Sequence, residues 1–276
     1  MNSRHINWMT ATGIGILTIF LIMSVFAPIL SPYDPSQLGI PFQKPTAAHF
    51  LGTNDLGQDI LSELIYASRV SLLIGLLSAV LITIIGASLG IIAGYIGGKT
   101  DAIIMWITNV ALLIPSLPLT IILVAYLRGG LINIVIAICI TSWATTARIV
   151  RSRVMQIRRM PYVEMEENMG VGKIRIMLTH ILPNVTDIVF IRGVMSASNA
   201  MLTEAGLSFM GIGVITQKSW GNILHYAFYR NGVLNGYIWW YLPPILCICL
   251  CIMGFVLIGY ANGASFPLFR KRVIKS

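Results

Sequence analysis

The sequence predicts an all-α polytopic membrane protein of six transmembrane helices, with a short polar helical segment between spans 4 and 5. Three observations predict it. Of the 276 residues, 56% are hydrophobic and only 11% are charged, against about 25% charged in a soluble domain. Apolar runs long enough to cross a bilayer recur along the chain. Thirteen Lys and Arg fall in segments on one side of the resulting topology and five on the other, with Arg192 inside a span. That asymmetry is the positive-inside signature and puts both termini in the cytoplasm. The net charge of +9 therefore reads as topology, and no nucleic-acid partner is expected.

Residues 1–30 form an N-terminal anchor, with the span itself at 8–30 behind Arg4 and His5. Its apolar run is too long for a signal peptide and lacks a small-x-small cleavage site. Residues 31–69 form an extracytoplasmic segment that opens on the turn cluster Ser31-Pro32-Tyr33-Asp34-Pro35. Residues 70–261 form the core, and 262–276 a basic cytoplasmic tail with Arg270, Lys271, Arg272 and Lys275.

The second span, 70–96, carries Gly75, Gly86, Gly90 and Gly94, which let helices approach closely in lipid. Gly97-Gly98-Lys99-Thr100-Asp101 ends like a phosphate-binding loop. The motif's first glycine would fall at Ala93, however, and the turn follows a membrane helix instead of a strand. No nucleotide site is expected in this chain. The third span, 102–127, is interrupted by Pro115 and Pro118, which free backbone carbonyls. Such a kink either lines a pathway or is architectural. The fourth span is 131–150, followed by Arg151, Arg153, Arg158 and Arg159 as a topology anchor.

The fifth span, 185–214, holds Asp187, Arg192 and Glu204. Ionisable groups at membrane depth are costly and default to functional hypotheses. Asp187 and Arg192 are expected to pair or snorkel near the cytoplasmic end. Glu204 either caps broken backbone beside its glycines or lines a cavity. Trp239, Trp240 and Tyr241 form an interfacial belt before the sixth span, 243–262. Cys139, Cys247, Cys249 and Cys251 all lie in apolar runs and read as packing residues, with no disulfide framework. The four histidines are scattered, so no metal site is expected. Neither facing aspartates nor His-Glu-x-x-His occurs, so no catalytic residue is assigned and the chain is not expected to be an enzyme.

Residues 160–184 are polar between two apolar runs. Pro161 suits a first helical turn, and 162–169 reads as a helical turn or two. Gly170 and Gly172 form a hinge. Ile174, Met177, Leu178 and Ile181 give the second piece an apolar face, and Pro183 is expected to stop it. The segment is either a solvated linker or a helix that docks in a groove of a soluble partner.

Tyr162-Val163-Glu164, Gly170, Ile174 and His180-Ile181-Leu182-Pro183-Asn184 resemble the coupling loop of ABC-importer permeases, more narrowly the dipeptide/oligopeptide/nickel permease family. Met165 and Glu166 stand where that family usually has two alanines. The stretch from His49-Phe50-Leu51-Gly52-Thr53-Asn54 to Asp59 resembles the same family, with Gln58 in place of the usual arginine. So do Trp143, Arg148 and Arg151 at their spacing, Glu204-Ala205-Gly206-Leu207-Ser208-Phe209-Met210-Gly211-Ile212-Gly213, and Ser219-Trp220-Gly221. Near the end, Gly259-Tyr260 and Phe266-Pro267 replace the family's Gly-Asp and Asp-Pro.

The resemblance implies the type I ABC-importer permease fold in a prokaryotic cytoplasmic membrane. The implied partners are a second homologous permease subunit, two ATP-binding subunits and an extracytoplasmic substrate-binding protein. ATP and Mg would be bound by the ATPase subunits, leaving no cofactor in this chain. Tyr162, Val163, Glu164, Gly170, Ile174, His180, Leu182, Pro183 and Asn184 would couple to the ATPase. Trp143, Asn199 and Glu204 are expected along the translocation path. The expected cargo is a di- or oligopeptide, with nickel or a metal chelate as the alternative. A secondary transporter would need internal repeats, which are not found. An exporter half would carry long cytoplasmic helix extensions.

Overall fold

The structure is a computed structural model that describes residues 8–214 and 217–265, with side chains as far as Ala261. The Arg4–His5 pair and the basic residues of the expected tail lie outside the described residues, while the first four residues of that tail, 262–265, form the end of the last helix. Among the described residues, five helices are long and apolar enough to cross a membrane, and a sixth crossing exists if one bent pair counts as a single span. No strand occurs among these residues, only an isolated bridge between Thr53 and Asp59.

Helix α1 (Trp8–Val25) breaks at Phe26, and α2 (Ala27–Leu30) follows. Pro28 sits in the first turn of α2, where its missing N–H breaks the continuous ladder. Helix α3 (Ile60–Ile96) starts well before the expected residue 70, which shortens the polar segment to 31–59. Asp59 is the reason. Its Oδ2 accepts from the Ser62 backbone N at 2.8 Å and the Ser62 Oγ at 2.7 Å, which caps the helix. At about 1.5 Å per residue α3 is about 55 Å long, while an apolar bilayer core is about 30 Å thick. Its first turns therefore stand beyond the apolar slab, and hydropathy does not reveal them.

The third apolar run is two helices, α4 (Gly98–Leu113) and α5 (Ser116–Tyr126), bent by 88°. Ile114, directly before Pro115, is extended at φ −79° and ψ 127°, as a residue preceding proline prefers. Helix α6 (Leu131–Arg158) continues eight residues past its expected end and carries the basic cluster on its last turns. Asp101 of α4 pairs there with Arg151. Helices α7 (Pro161–Asn168) and α8 (Lys173–Ile176) precede a π-turn, Met177–Ile181, which runs directly into α9 (Leu182–Phe209). Helix α10 (Trp220–Tyr229), absent from the sequence expectation, and α11 (Ile238–Ser265) complete the order. Pro243 and Pro244 lie within α11 and do not begin it.

Helix α3 is the central post, and its longest contact is with α6. Gly86, Gly90 and Gly94 make that contact possible. A Cβ there would lie 2.9, 2.6 and 2.8 Å from the carbonyl oxygens of Trp143, Ala147 and Arg151 respectively. Three glycines at four-residue spacing thus seat on three α6 carbonyls at the same spacing, as small residues do at close helix crossings.

Candidate functional site

Two ends and one helix face carry the candidate residues. The first end holds α7, α8 and the π-turn. Pro161 occupies the first turn of α7 as expected, and Gly170 ends it with φ +77°. Gly170 N donates to Glu167 O at 3.1 Å and Val171 N to Glu166 O at 3.1 Å. This pair of bonds is a Schellman cap, whose left-handed position favours glycine. Gly172 has an ordinary extended backbone and serves as the N-cap of α8, so the hinge has one left-handed residue where two were expected.

Val163, Ile176 and Ile181 are fully buried against Tyr95 of α3 and Val150, Val154 and Ile157 of α6. The opposite side is open and apolar: Met165, Met169, Ile174 and Leu178 are each at least 59% exposed. The element is therefore seated on the α3–α6 post by one face and presents an apolar row on the other.

Polar contacts hold the two halves of the hinge together. His180 Nε2 lies 2.8 Å from Glu166 Oε1. Asn184 Nδ2 donates to the Tyr162 hydroxyl at 3.4 Å and to His180 O at 2.7 Å, and the Tyr162 and His180 rings are 6.0 Å apart. Arg158 Nε lies 3.6 Å from Glu167 Oε1. Glu164 is exposed. Glu166 and Glu167, which the sequence reading did not select, thus make the contacts. The charge pattern alone could have marked them, since acidic residues on α7 sit near Arg158 and His180 in sequence.

Pro183 does not stop the helix. Leu182 and Pro183 lie in the first turn of α9, and the backbone stays helical from Lys173 to Phe209. The π-turn absorbs the proline: Leu182 N donates to Met177 O, one residue further back than in an α-helix. The wider turn relieves the clash and the missing donor that proline brings to an α-helical interior.

The second end is built from 31–59, α10 and the turn before it. Lys218 Nζ donates to Pro35 O at 2.6 Å, to Gln58 Oε1 at 2.7 Å and to the buried Glu63 carboxylate. Asn54 Oδ1 accepts from the backbone N of Leu56 and of Gln58, both at 2.9 Å. This explains how Gln58 fills the position of the family's arginine: it joins a polar knot. Arg230 Nε lies 3.2 Å from Asp55 Oδ2. Burial pushes the Asp55 carboxyl above its ordinary value, an effect that Arg230 only partly offsets. Around these groups lies a cavity of about 390 Å³ lined by Asn54, Asp55, Glu63, Lys218, Tyr226 and Arg230.

Glu204 sits beneath this end and is 1% exposed. Its Oε1 accepts from Ser208 Oγ at 2.7 Å and its Oε2 from Ser71 Oγ at 3.3 Å. Ser71 Oγ in turn accepts from Trp220 N at 3.2 Å, and Trp220 Nε1 donates to Leu64 O at 3.1 Å. The carboxylate therefore ties α9 to α3 and to the start of α10. Burial corrects the expectation that Glu204 lines a path. Asn199 is exposed about 140° away around α9, at 100° per residue. Trp143 is half-buried on α6. The structure does not bring these three residues to one surface. Among the described residues no group of three His, Cys, Asp or Glu is arranged to hold a metal ion.

Comparison with known proteins gives a consistent identity. Residues 86–262 match the binding-protein-dependent transport system inner membrane component family, and residues 7–51 match the N-terminal TM domain of oligopeptide transport permease C. The chain is 35% identical over 271 residues to the oligopeptide transport system permease protein OppC of Bacillus subtilis, covering 96% of this chain and 87% of the relative. It is 37% identical over 257 residues to the di/tripeptide transport system permease protein DppC of Pseudomonas aeruginosa, covering 89% and 84%. Identity to the dipeptide transport system permease protein DppC of Bacillus subtilis is 32% over 256 residues, covering 92% and 79%. These relatives are transport permease subunits, not enzymes. The all-helical architecture is that of a type I ABC permease, and the chain belongs to the binding-protein-dependent transport system inner membrane component family.

Proposed function

We propose that this chain is a membrane subunit of an ATP-driven peptide importer and that α7 and α8 are its contact with an ATPase partner. One observation carries the reading: the hinge is buried on one face by Val163, Ile176 and Ile181, and offers Met165, Met169, Ile174 and Leu178 on the other. An exposed apolar row on a short helical element is suited to a groove of a soluble partner. The oligopeptide and di/tripeptide transport of the relatives supports peptides as cargo. The other partners are a second homologous permease, a second ATPase and an extracytoplasmic binding protein. ATP and Mg belong to the ATPase subunits. Both termini and the hinge lie in the cytoplasm, and residues 31–59 with α10 face the binding protein.

ATP-driven closure of the ATPases would push the hinge, and α3 and α6 would transmit the push. Tyr162, Glu164, Gly170, Ile174, His180, Leu182, Pro183 and Asn184 form or border the moving surface, with Val163 as its root. Trp143 and Asn199 are assigned to the translocation path. The test is co-purification with candidate ATPase subunits and peptide uptake in proteoliposomes. Gly170→Pro forces a left-handed position into an incompatible backbone, and Glu164→Lys reverses charge at the hinge. Both are expected to weaken ATPase retention or uncouple hydrolysis from uptake. Peptide uptake by the isolated chain without ATP would overturn the reading.

A further inference from the structure

Arg192 is the one described cation deep within an apolar span that finds no counter-charge. Its neighbour Gly193 packs against Thr83 of α3, where a Cβ would meet Oγ1 at 3.2 Å. Roughly 20 Å of helix separate Thr83 from the end of α3 at about 1.5 Å per residue. Arg192 therefore sits beside a part of α3 about 20 Å of helix from that helix's end, within the apolar stretch of both helices. It is half-buried, its Nε is enclosed without a hydrogen-bond partner, and it makes no ion pair with Asp187 or any other described residue.

Position on the helix decides which way it faces. Residues 192, 199, 203 and 206 fall within about 60° of one another around α9, at 100° per residue. Asn199 is exposed, and a Cβ on Gly206 would meet nothing within 4 Å. Ala197, Met201 and Glu204, between about 120° and 180° around α9 from Arg192, are buried in the chain's own bundle. Arg192 thus stands on an outward lane with an amide, a hydroxyl (Thr203) and an open glycine. A guanidinium at membrane depth is stable only beside water or an anion.

We infer that Arg192 receives the terminal carboxylate of a peptide as it crosses the membrane. This rests on the translocation reading above. A planar guanidinium matches a carboxylate by two parallel N–H···O bonds, and that carboxylate is common to peptides of any sequence. Asn199 lies about 10 Å further along the lane, seven residues of helix. That is about the length of three extended residues, so its amide meets a peptide whose tail is held at Arg192.

The complete complex, with both permeases, ATPases and binding protein, tests the inference in proteoliposomes with trialanine and trialanine amide. Arg192→Gln is expected to lower trialanine uptake about tenfold, the worth of one charge-assisted hydrogen bond, while uptake of the amide changes less than about twofold. Arg192→Lys retains most trialanine uptake. In Arg192→Cys, a cationic thiosulfonate reagent restores trialanine uptake and an anionic one does not, with the treated wild type as control. Equal loss for both peptides, no loss for either, or loss of the partner permease on purification would each overturn this role. The last outcome would assign Arg192 to an acid on the partner subunit. If the wild-type complex imports neither peptide, the importer reading itself falls.

Discussion

The two ends of the molecule are held by different chemistry. The end formed by 31–59 and α10 is locked by long-range polar bonds: Lys218 reaches Pro35, Gln58 and Glu63, Trp220 reaches Leu64 and Ser71, and Arg230 reaches Asp55. Trp220 and Trp240 are buried there. The hinge end is anchored by only a few aliphatic side chains, and its ion pairs are half-exposed. One end is built to keep its shape and the other to shift while staying attached. Breaking bonds at the first end should therefore cost stability, while breaking them at the second should cost coupling.

The largest expected effect is Trp220→Ala. It removes a fully buried indole and its bond to Leu64 O, and should destabilise by about 4 kcal/mol, read as a lower thermal midpoint in detergent. Lys218→Met comes next. It leaves the buried Glu63 carboxylate without its cation, at about 3 kcal/mol, and Glu63→Gln in the same chain should recover most of the loss. No recovery of the thermal midpoint in the double variant would place the strength of this end elsewhere.

Asp55 gives a pH signature for the same end. Its folded-state value is raised from the ordinary 3.8 by burial, so its protonated form is the one folding favours. That contribution is complete below 3.8 and is lost as pH rises through the raised value. Asp55→Asn should flatten the melting-temperature profile across that window, and an unchanged slope would dismiss Asp55 as its source. The smallest effect on stability belongs to the hinge. Glu166→Ala removes a pair whose members are each 31% exposed and should cost less than about 1 kcal/mol. Ile174→Asp, on the exposed row, should leave the melt unchanged yet lower ATPase retention at least about tenfold. A large drop in thermal midpoint from either hinge variant would erase the contrast between the ends.

Long apolar runs reveal most of the crossings because lipid exposure is what hydropathy measures. The Pro161 start and Gly170 hinge were legible for a similar reason: each rests on a backbone constraint that one residue type satisfies. The start of α3 at Ile60 was not, because its first turns are covered by protein and carry Ser62 and Glu63. Nor was α10, whose ten residues alternate buried Trp220, Ile223 and Ala227 with exposed aromatics. Pro115 announced a break but not its 88° angle, which depends on what the two pieces pack against. Glu204 looked functional because an acid in a span is expensive. Ser208 is only four residues away on the same helix, but Ser71, which ties the carboxylate to α3, is 133 residues away in sequence, beyond the reach of local pattern.

The π-turn at Met177–Ile181 has one more consequence. An α-helix advances its side chains by 100° per residue, and a π-turn accommodates one additional residue in a single loop of backbone. It therefore sets the angular phase between the apolar row at Ile174 and Leu178 and the lane of Arg192 and Asn199. Straightening it into a uniform α-helix without removing a residue would rotate one set against the other by a large part of the roughly 100° that one residue contributes, whereas deleting one residue would leave the two nearly in phase. In that sense the turn works like the offset on a camshaft, fixing where along the stroke each end of α9 presents its face.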